Sequence, residues 1–468
     1  MIGRSLISFL VPFVIGLSLV YRCARAGGKS AFLMTACLAT GLGLALSSLC
    51  FFTWLVLFPG NASFAAFAAF EAITALAVAI PAVLLIKPVQ WSEAMDDERP
   101  PALVSLGIYG ILFFMFIINA AAFIALSRQA PHGGWDAWAI WNMRARFLFG
   151  GGQWWAGSFS KVIGWAHPDY PVLLPGIIAR AWRYLGEDAR AVPAIVACAY
   201  TFLTVGLLVS SLSLLRNPRI GALAGIVLLS APLYLTCGAS QYADVPLSFY
   251  YLATCVFFFL RQRCDEAAGR SLMCMAGLAA GCAAWLKNEG QLFIVLFVCA
   301  RFLAAIPSRG FSKFFREMAF FAAGAFLPCL AVLYTKIRFA LPAVDYAAQV
   351  TVKNMFDPGR WFGVAVEFVK RITLFGGNSV PLVPLLAAYV WIVGLRPGQR
   401  GRPEVLTACF LFCLMAIDYF SIYLFTPHDY TWMFAVNFDR LLLHLWPSAV
   451  FVLFFITLDP LTNEKKSI

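Results

Sequence analysis

Charge is the first scarcity in this chain. Asp, Glu, Lys and Arg make up 12% of its 468 residues, whereas 62% are hydrophobic and the mean hydropathy is +0.81. Soluble domains carry roughly twice that charge, so a water-soluble globular protein is excluded. No concentrated basic patch exists either: the net charge of +12 is spread between apolar runs, which argues against a nucleic-acid surface. Histidine is scarcer still, with four in all. The 13 cysteines show no CxxC pair and no regular spacing, so they read as small buried hydrophobes and not as a disulfide or zinc framework. No small-residue cleavage site follows the first apolar run, 6–21, which therefore reads as a transmembrane helix and not as a cleaved signal. Internal repeats are also missing, and with them the sequence mark of many transporters.

What the chain has is long apolar segments. Stretches able to cross about 30 Å of hydrocarbon lie at 6–21, 31–58, 64–86, 102–126, 191–215, 220–236, 245–260, 272–286, 291–308, 318–335, 379–395, 405–425 and 441–458. The expected fold is an all-α polytopic membrane protein with about 13 transmembrane helices. An N-terminus facing outward puts nineteen basic residues in short inner loops, from Arg22, Arg25 and Lys29 through Lys87, Arg99, Arg309 and Arg400 to Lys465 and Lys466. The short outer segments then hold three, Arg4, Lys287 and Arg440, the asymmetry that the positive-inside rule requires. Three regions follow: an N-terminal four-helix extension, 1–126; a core, 127–335, with an outer loop at 127–190; and a second outer loop with C-terminal helices, 336–468.

The first outer loop opens on "GGWDAWAIWNMRARFLF", where Asp136, Arg144 and Arg146 stand among tryptophans. Its helical period predicts an interfacial helix over 136–149 with tryptophans at headgroup level, ended by Gly150, Gly151 and Gly152. "HPDYPVLLPGIIARAWRYLG" predicts a Pro-rich turn and a second interfacial helix over 171–185. The polar residues that this topology gathers outside are Asp136, His167, Asp169, Arg190, Asp244, Lys287, Glu289, His428, Asp429, Asp439 and Arg440. All are expected at helix ends and none at mid-membrane, which leaves a proton-relay pump without support. Asp136 is equally suited to cap the following helix, Arg440 to anchor a helix end by snorkelling, and Asp244 and Glu289 to cap helices, orient a ligand or hold a metal. His132, His167 and His428 lie on the same side, but no two stand at metal-ligand spacing.

The order of these segments, "WDAW", "HPDYPVLLP", "RAVP", "YADVPLSFYYLA", "KNEG" and "RLLLHLWP", resembles the GT-C superfamily of membrane glycosyltransferases. Within it, protein O-mannosyltransferases, lipid A aminoarabinose transferases and lipopolysaccharide sugar transferases look most similar. The resemblance runs from about 133 to 458. It departs from the family in three extra helices before the first loop, in Ala137 where a second acidic residue is common, in Asp169 and Tyr170 between Pro168 and Pro171, and in having no large soluble domain after the last helix.

The resemblance implies transfer of a sugar from a polyprenyl-phosphate-linked donor to a glycan, lipid or protein acceptor at the outer face. That face would be the periplasmic one of a bacterial inner (plasma) membrane, with the C-terminus cytoplasmic. It implies Asp136 as general base, with Asp169 and Asp244 as the further catalytic carboxylates. Arg440, Lys287 and Arg190 would bind the donor phosphate, and His167, Glu289 and His428 the substrate. No cofactor is demanded by this chemistry, although a divalent metal is compatible with it. Two other expectations stand beside this one: a non-catalytic GT-C-like binding component of a glycan-assembly complex, and a lipid-linked-sugar transporter.

Overall fold

The computed structural model describes residues 2–21, 28–60, 63–85, 102–307, 310–339, 351–376, 381–399 and 401–461. Helices α1 (Ile2–Val20), α2 (Gly28–Leu57), α3 (Phe64–Leu85) and α4 (Ala102–Gln129) open the chain. The first loop contributes a π turn (Ala137–Trp141) that runs into α5 (Asn142–Gly150), and then α6 (Leu173–Leu185). There follow α7 (Ala191–Leu215), α8 (Pro218–Leu229), α9 (Pro232–Ala239), α10 (Asp244–Leu260), α11 (Glu266–Leu286) and α12 (Asn288–Ala305). The chain continues with α13 (Phe311–Phe339), α14 (Pro358–Thr373), α15 (Leu382–Val393), α16 (Pro403–Phe425), α17 (Tyr430–Met433) and α18 (Asp439–Ile456). Among the described residues there is no strand, only an isolated bridge between Leu395 and Thr457.

Hydrocarbon offers no hydrogen bonds to a peptide backbone, and a helix supplies its own. Among the described residues nine helical segments are long and apolar enough to cross a membrane: α2, α3, α4, α7, α11, α12, α13, α16 and the run Tyr430–Ile456. The chain is an all-α polytopic membrane protein. The stretches expected at 6–21, 245–260 and 379–395 fall on shorter apolar helices, Leu6–Val20, Asp244–Leu260 and Leu382–Val393. Residues 379 and 380 lie outside the described residues, as do Arg22, Arg25, Lys87, Arg99, Arg309, Arg400, Lys465 and Lys466 of the charge pattern.

The span expected at 220–236 is bent. Residues 220–236 form two helices, α8 and α9, bent by 68° at Ser230 and Ala231. Pro232 is the cause: it lacks a backbone N–H and drives the residue before it out of the helical region, so Ala231 is extended.

Helix α10 is the centre of the molecule, buried along its whole length, with α7, α11 and α18 packed around it. The N-terminal region is not peripheral to this core, because α2 packs on α6 and α7 and comes within contact of α10. Gly41 makes that approach possible; a Cβ there would fall 2.1 Å from the Phe249 ring. By contrast, α3 and α4 leave most of their apolar side chains uncovered, as lipid-facing helices do.

The two loop helices depart from the expected interfacial pair. Trp135 and Trp138 are exposed, but Trp141 and, on α6, Trp182 are buried in the core. The α6 helix is covered by protein on nearly all sides, so α1, α2 and α5 shield it rather than lipid. Its wide apolar face requires such cover. The single charge in its middle, Arg180, is neutralised by Glu71 of α3, which also accepts from the Tyr184 hydroxyl. Glu71 and Asp418, which are not among the polar residues expected at helix ends, lie well inside membrane-length helices.

Candidate functional site

Glycine brings the first loop to the start of α10. Gly133 has a φ of 75°, and a Cβ on it would meet the Ser240 carbonyl oxygen at 2.6 Å. Gly134 donates its N–H to that same oxygen (3.0 Å). Gln241, itself left-handed at φ 59°, accepts from Asn142 (3.1 Å) and donates to the Pro131 carbonyl (3.2 Å). These bonds clamp the "GGWDAW" segment against the α9–α10 turn. Asp136 is thereby set beside residues about 100 and 300 positions away.

Asp136 does not cap its helix. It has helical dihedrals, no side-chain capping bond, and a carboxylate that accepts from Arg440 Nη2 at 2.5 Å. Arg440, near the start of α18, does not snorkel: its Nε donates to Asp244 (2.9 Å) and its guanidinium lies 4.6 Å from the Tyr242 ring centre. Asp244, 1% exposed, begins α10 and makes no cap. Its carboxylate accepts from Arg440 and from Lys287 Nζ (3.2 Å), and meets His444 Nε2 at 2.7 Å. Lys287, between α11 and α12, also pairs with Glu289 (2.8 Å). Burial works against the Lys287 charge, but Glu289 and Asp244 outweigh it and hold the ammonium above the usual lysine range.

Asp169 joins from the side. It accepts from Asn288 (2.7 Å), the residue after Lys287, while Lys336 at the end of α13 donates to the Asp169 carbonyl and to Asn288 Oδ1, both at 3.0 Å. His167, at φ 45°, stacks on Tyr170, whose other ring neighbours are Trp141 and the Lys287 ammonium (5.7 Å). Arg144 makes this turn possible. Wholly buried, it donates to the carbonyls of Ser158, Pro168 and Tyr170, and burial draws its guanidinium below the usual arginine range while Asp169 opposes that. Arg144 is thus a scaffold for the loop, and Arg146 pairs with Asp188 at the surface.

Seven of the nine expected site residues are therefore in or against one cluster: Asp136, Asp169, Asp244, Lys287, Glu289, Arg440 and, through Tyr170, His167. Two are elsewhere. Arg190 is exposed at the start of α7, and His428 is exposed with its carbonyl accepting from Arg360. Among the described residues no group of three or more His, Cys, Asp or Glu side chains is arranged to hold a metal ion. Sequence reasoning missed His444, Tyr242, Asn288 and Lys336. His444 had a legible signal: it follows Arg440 by four residues, on the same face of one helix.

A cavity of about 440 Å³ opens between α1, α2, α3 and α13, lined by Leu46, Leu49, Phe52, Val56, Leu327 and Leu330 among others. Two residues of its lining lead toward the polar cluster along the chain. Phe52 packs on Trp285 (4.9 Å), two residues before Lys287, and Tyr334 of the same lining precedes Lys336 by two. Comparisons with protein-family models, with curated proteins and with solved structures found no match to this chain.

Proposed function

We propose that this chain is a membrane glycosyltransferase that moves a sugar from a polyprenyl-phosphate-linked donor to a glycan, lipid or protein acceptor. One observation carries the reading. Two cations, Arg440 and Lys287, are joined through Asp244 at one end of the helix bundle, with Asp136 on Arg440, and the chain also holds an apolar cavity that suits a lipid chain. In this reading that end is the periplasmic face of a bacterial inner membrane, with thirteen spans and a cytoplasmic C-terminus.

The chemistry needs a base for the acceptor hydroxyl and cations for the departing phosphate. The acceptor oxygen bonds to the anomeric carbon, the bond from that carbon to the phosphate oxygen breaks, and the phosphate leaves with the electron pair. Asp136 takes the hydroxyl proton. Arg440 is the better of the two phosphate partners, because its fork matches two phosphate oxygens.

The ion pairs describe a resting state. Arg440 Nη2 contacts both Asp136 and Asp244, and of these Asp244 is the buried one. A donor phosphate that replaces Asp136 on Arg440 frees the base at the moment the substrate arrives. Asp244 stays behind as the counter-ion that keeps Arg440 and Lys287 in place. Asp169, held by Asn288, and Glu289, held by Lys287, flank the same opening. The purified protein in nanodiscs, given a panel of polyprenyl-phosphate sugars with glycan, lipid and peptide acceptors, should release prenyl phosphate from at least one donor. Release from none of them would remove the enzymatic reading and leave the binding-component and transporter readings.

A further inference from the structure

Buried polar atoms in a native protein are nearly always paired. Three that have no hydrogen-bond partner among the described residues are Glu289 Oε2, Asp418 Oδ2 and the Tyr419 hydroxyl. They belong to two helices that pack along each other, α12 and α16. Tyr419 is 1% exposed, and its hydroxyl lies within electrostatic range of Glu289, Asp418 and Asp244. Asp418 in turn lies within range of Glu289. The group therefore continues the Arg440–Asp244–Lys287–Glu289 chain of ion pairs further into the bundle. Tyr251 donates its hydroxyl to the Glu289 carbonyl (2.8 Å) and stacks its ring on Phe293 (3.9 Å).

We infer that Glu289, Asp418 and Tyr419 form a subsite for the hydroxyl groups of the donor's sugar ring. This inference rests on the glycosyl-transfer reading and adds a place for the sugar. Two carboxylate oxygens can each accept a hydrogen bond, and the Tyr419 phenol can donate one. Vicinal hydroxyls both donate and accept, so a polyol satisfies all three atoms together. A prenyl tail in this position would leave every one of them buried and unpaired, and a bare cation would have no use for the phenolic donor. The location also follows from the phosphate site. Lys287 binds Glu289 through Oε1, so the oxygen that remains free is one side chain away from the proposed phosphate partner.

The test compares lipids that differ only in the sugar. Wild type, Tyr419→Phe and Asp418→Asn in nanodiscs are titrated with undecaprenyl phosphate and with the same lipid carrying glucose, galactose or mannose. Wild type is expected to bind at least one sugar-bearing lipid about 10-fold more tightly than the bare one. Each variant should reduce that ratio by about 10-fold, the scale of one buried hydrogen bond to a charged partner, while affinity for the bare lipid stays unchanged. Tyr419→Phe removes a single oxygen and preserves packing, so unchanged bare-lipid binding also certifies the fold. A ratio equal to wild type in both variants, or a wild type that binds the bare lipid and prefers no sugar, overturns the subsite alone. A wild type that binds neither the bare lipid nor any sugar-bearing one overturns the donor reading, and the subsite falls with it.

Discussion

At the scale of single residues, the most informative side chain is Asp136. Asn at this position keeps the size of Asp, and the structure shows no capping bond for it to lose. Asp136→Asn should therefore yield a folded, inserted protein that still binds donor while turnover falls by roughly 10²–10⁴-fold, the usual loss of a general base. Arg440→Ala is expected to differ, weakening donor binding as well, and to lower stability because Asp244 loses a buried partner. Donor binding and initial rates on both variants separate the two roles. Near-wild-type transfer by Asp136→Asn would move the search for the base to Asp169 or Asp244. Much of this was legible in the sequence, since an acid among tryptophans and an arginine opening the last helix are conspicuous in so apolar a chain. Their pairing was not. Asp136 and Arg440 are 304 positions apart, and no local pattern couples them.

At the scale of elements, α3 and α6 are joined by one buried ion pair beside the contacts of Phe64 and Phe67 with Tyr184. Glu71 and Arg180 are almost fully enclosed, and Arg180 also donates to the Ser8 carbonyl of α1. Removing one partner leaves the other charge buried and unpaired, so Glu71→Ala should cost about 3–5 kcal/mol. Replacing both, as in Glu71→Leu with Arg180→Leu, should cost much less, because an apolar pair needs no solvation. Thermal unfolding of the single and double variants in nanodiscs reads this directly; equal losses in both would show that the helices are held by packing alone. This pair escaped sequence reading for a physical reason. A lone Glu in an apolar run and a lone Arg in another are unremarkable, and only the packing of α1, α3 and α6 brings them together.

At the scale of the whole molecule, the charge pattern makes a statement about orientation that the helices themselves leave open. With thirteen spans, nineteen basic residues fall in one set of short loops and three in the other, and the topology we propose from that bias has residue 136 outside and the C-terminus inside. Single cysteines introduced into a cysteine-free background at 136 and 465 should differ: an impermeant maleimide added to intact cells labels the first and spares the second until the membrane is opened. Labelling of 465 in intact cells would reverse the topology and move the polar cluster to the cytoplasmic face.

The chain's own order of residues determined its class and its helices, because hydropathy and length are local properties and hydrocarbon leaves a span no alternative to helix. It also placed most of the polar residues of interest at helix ends, since charge is costly anywhere deeper. Tertiary structure alone decided which of these ends meet. The left-handed turn at Gly133 and the five carbonyls gathered by Arg144 fold the first loop onto the start of α10, and His444 enters because α18 presents it one turn below Arg440. It also decided that α6 lies inside the protein and that 220–236 bends. A helix with a wide apolar face, such as α6, can lay that face against lipid or a protein core, and the neighbours available to cover it settle which.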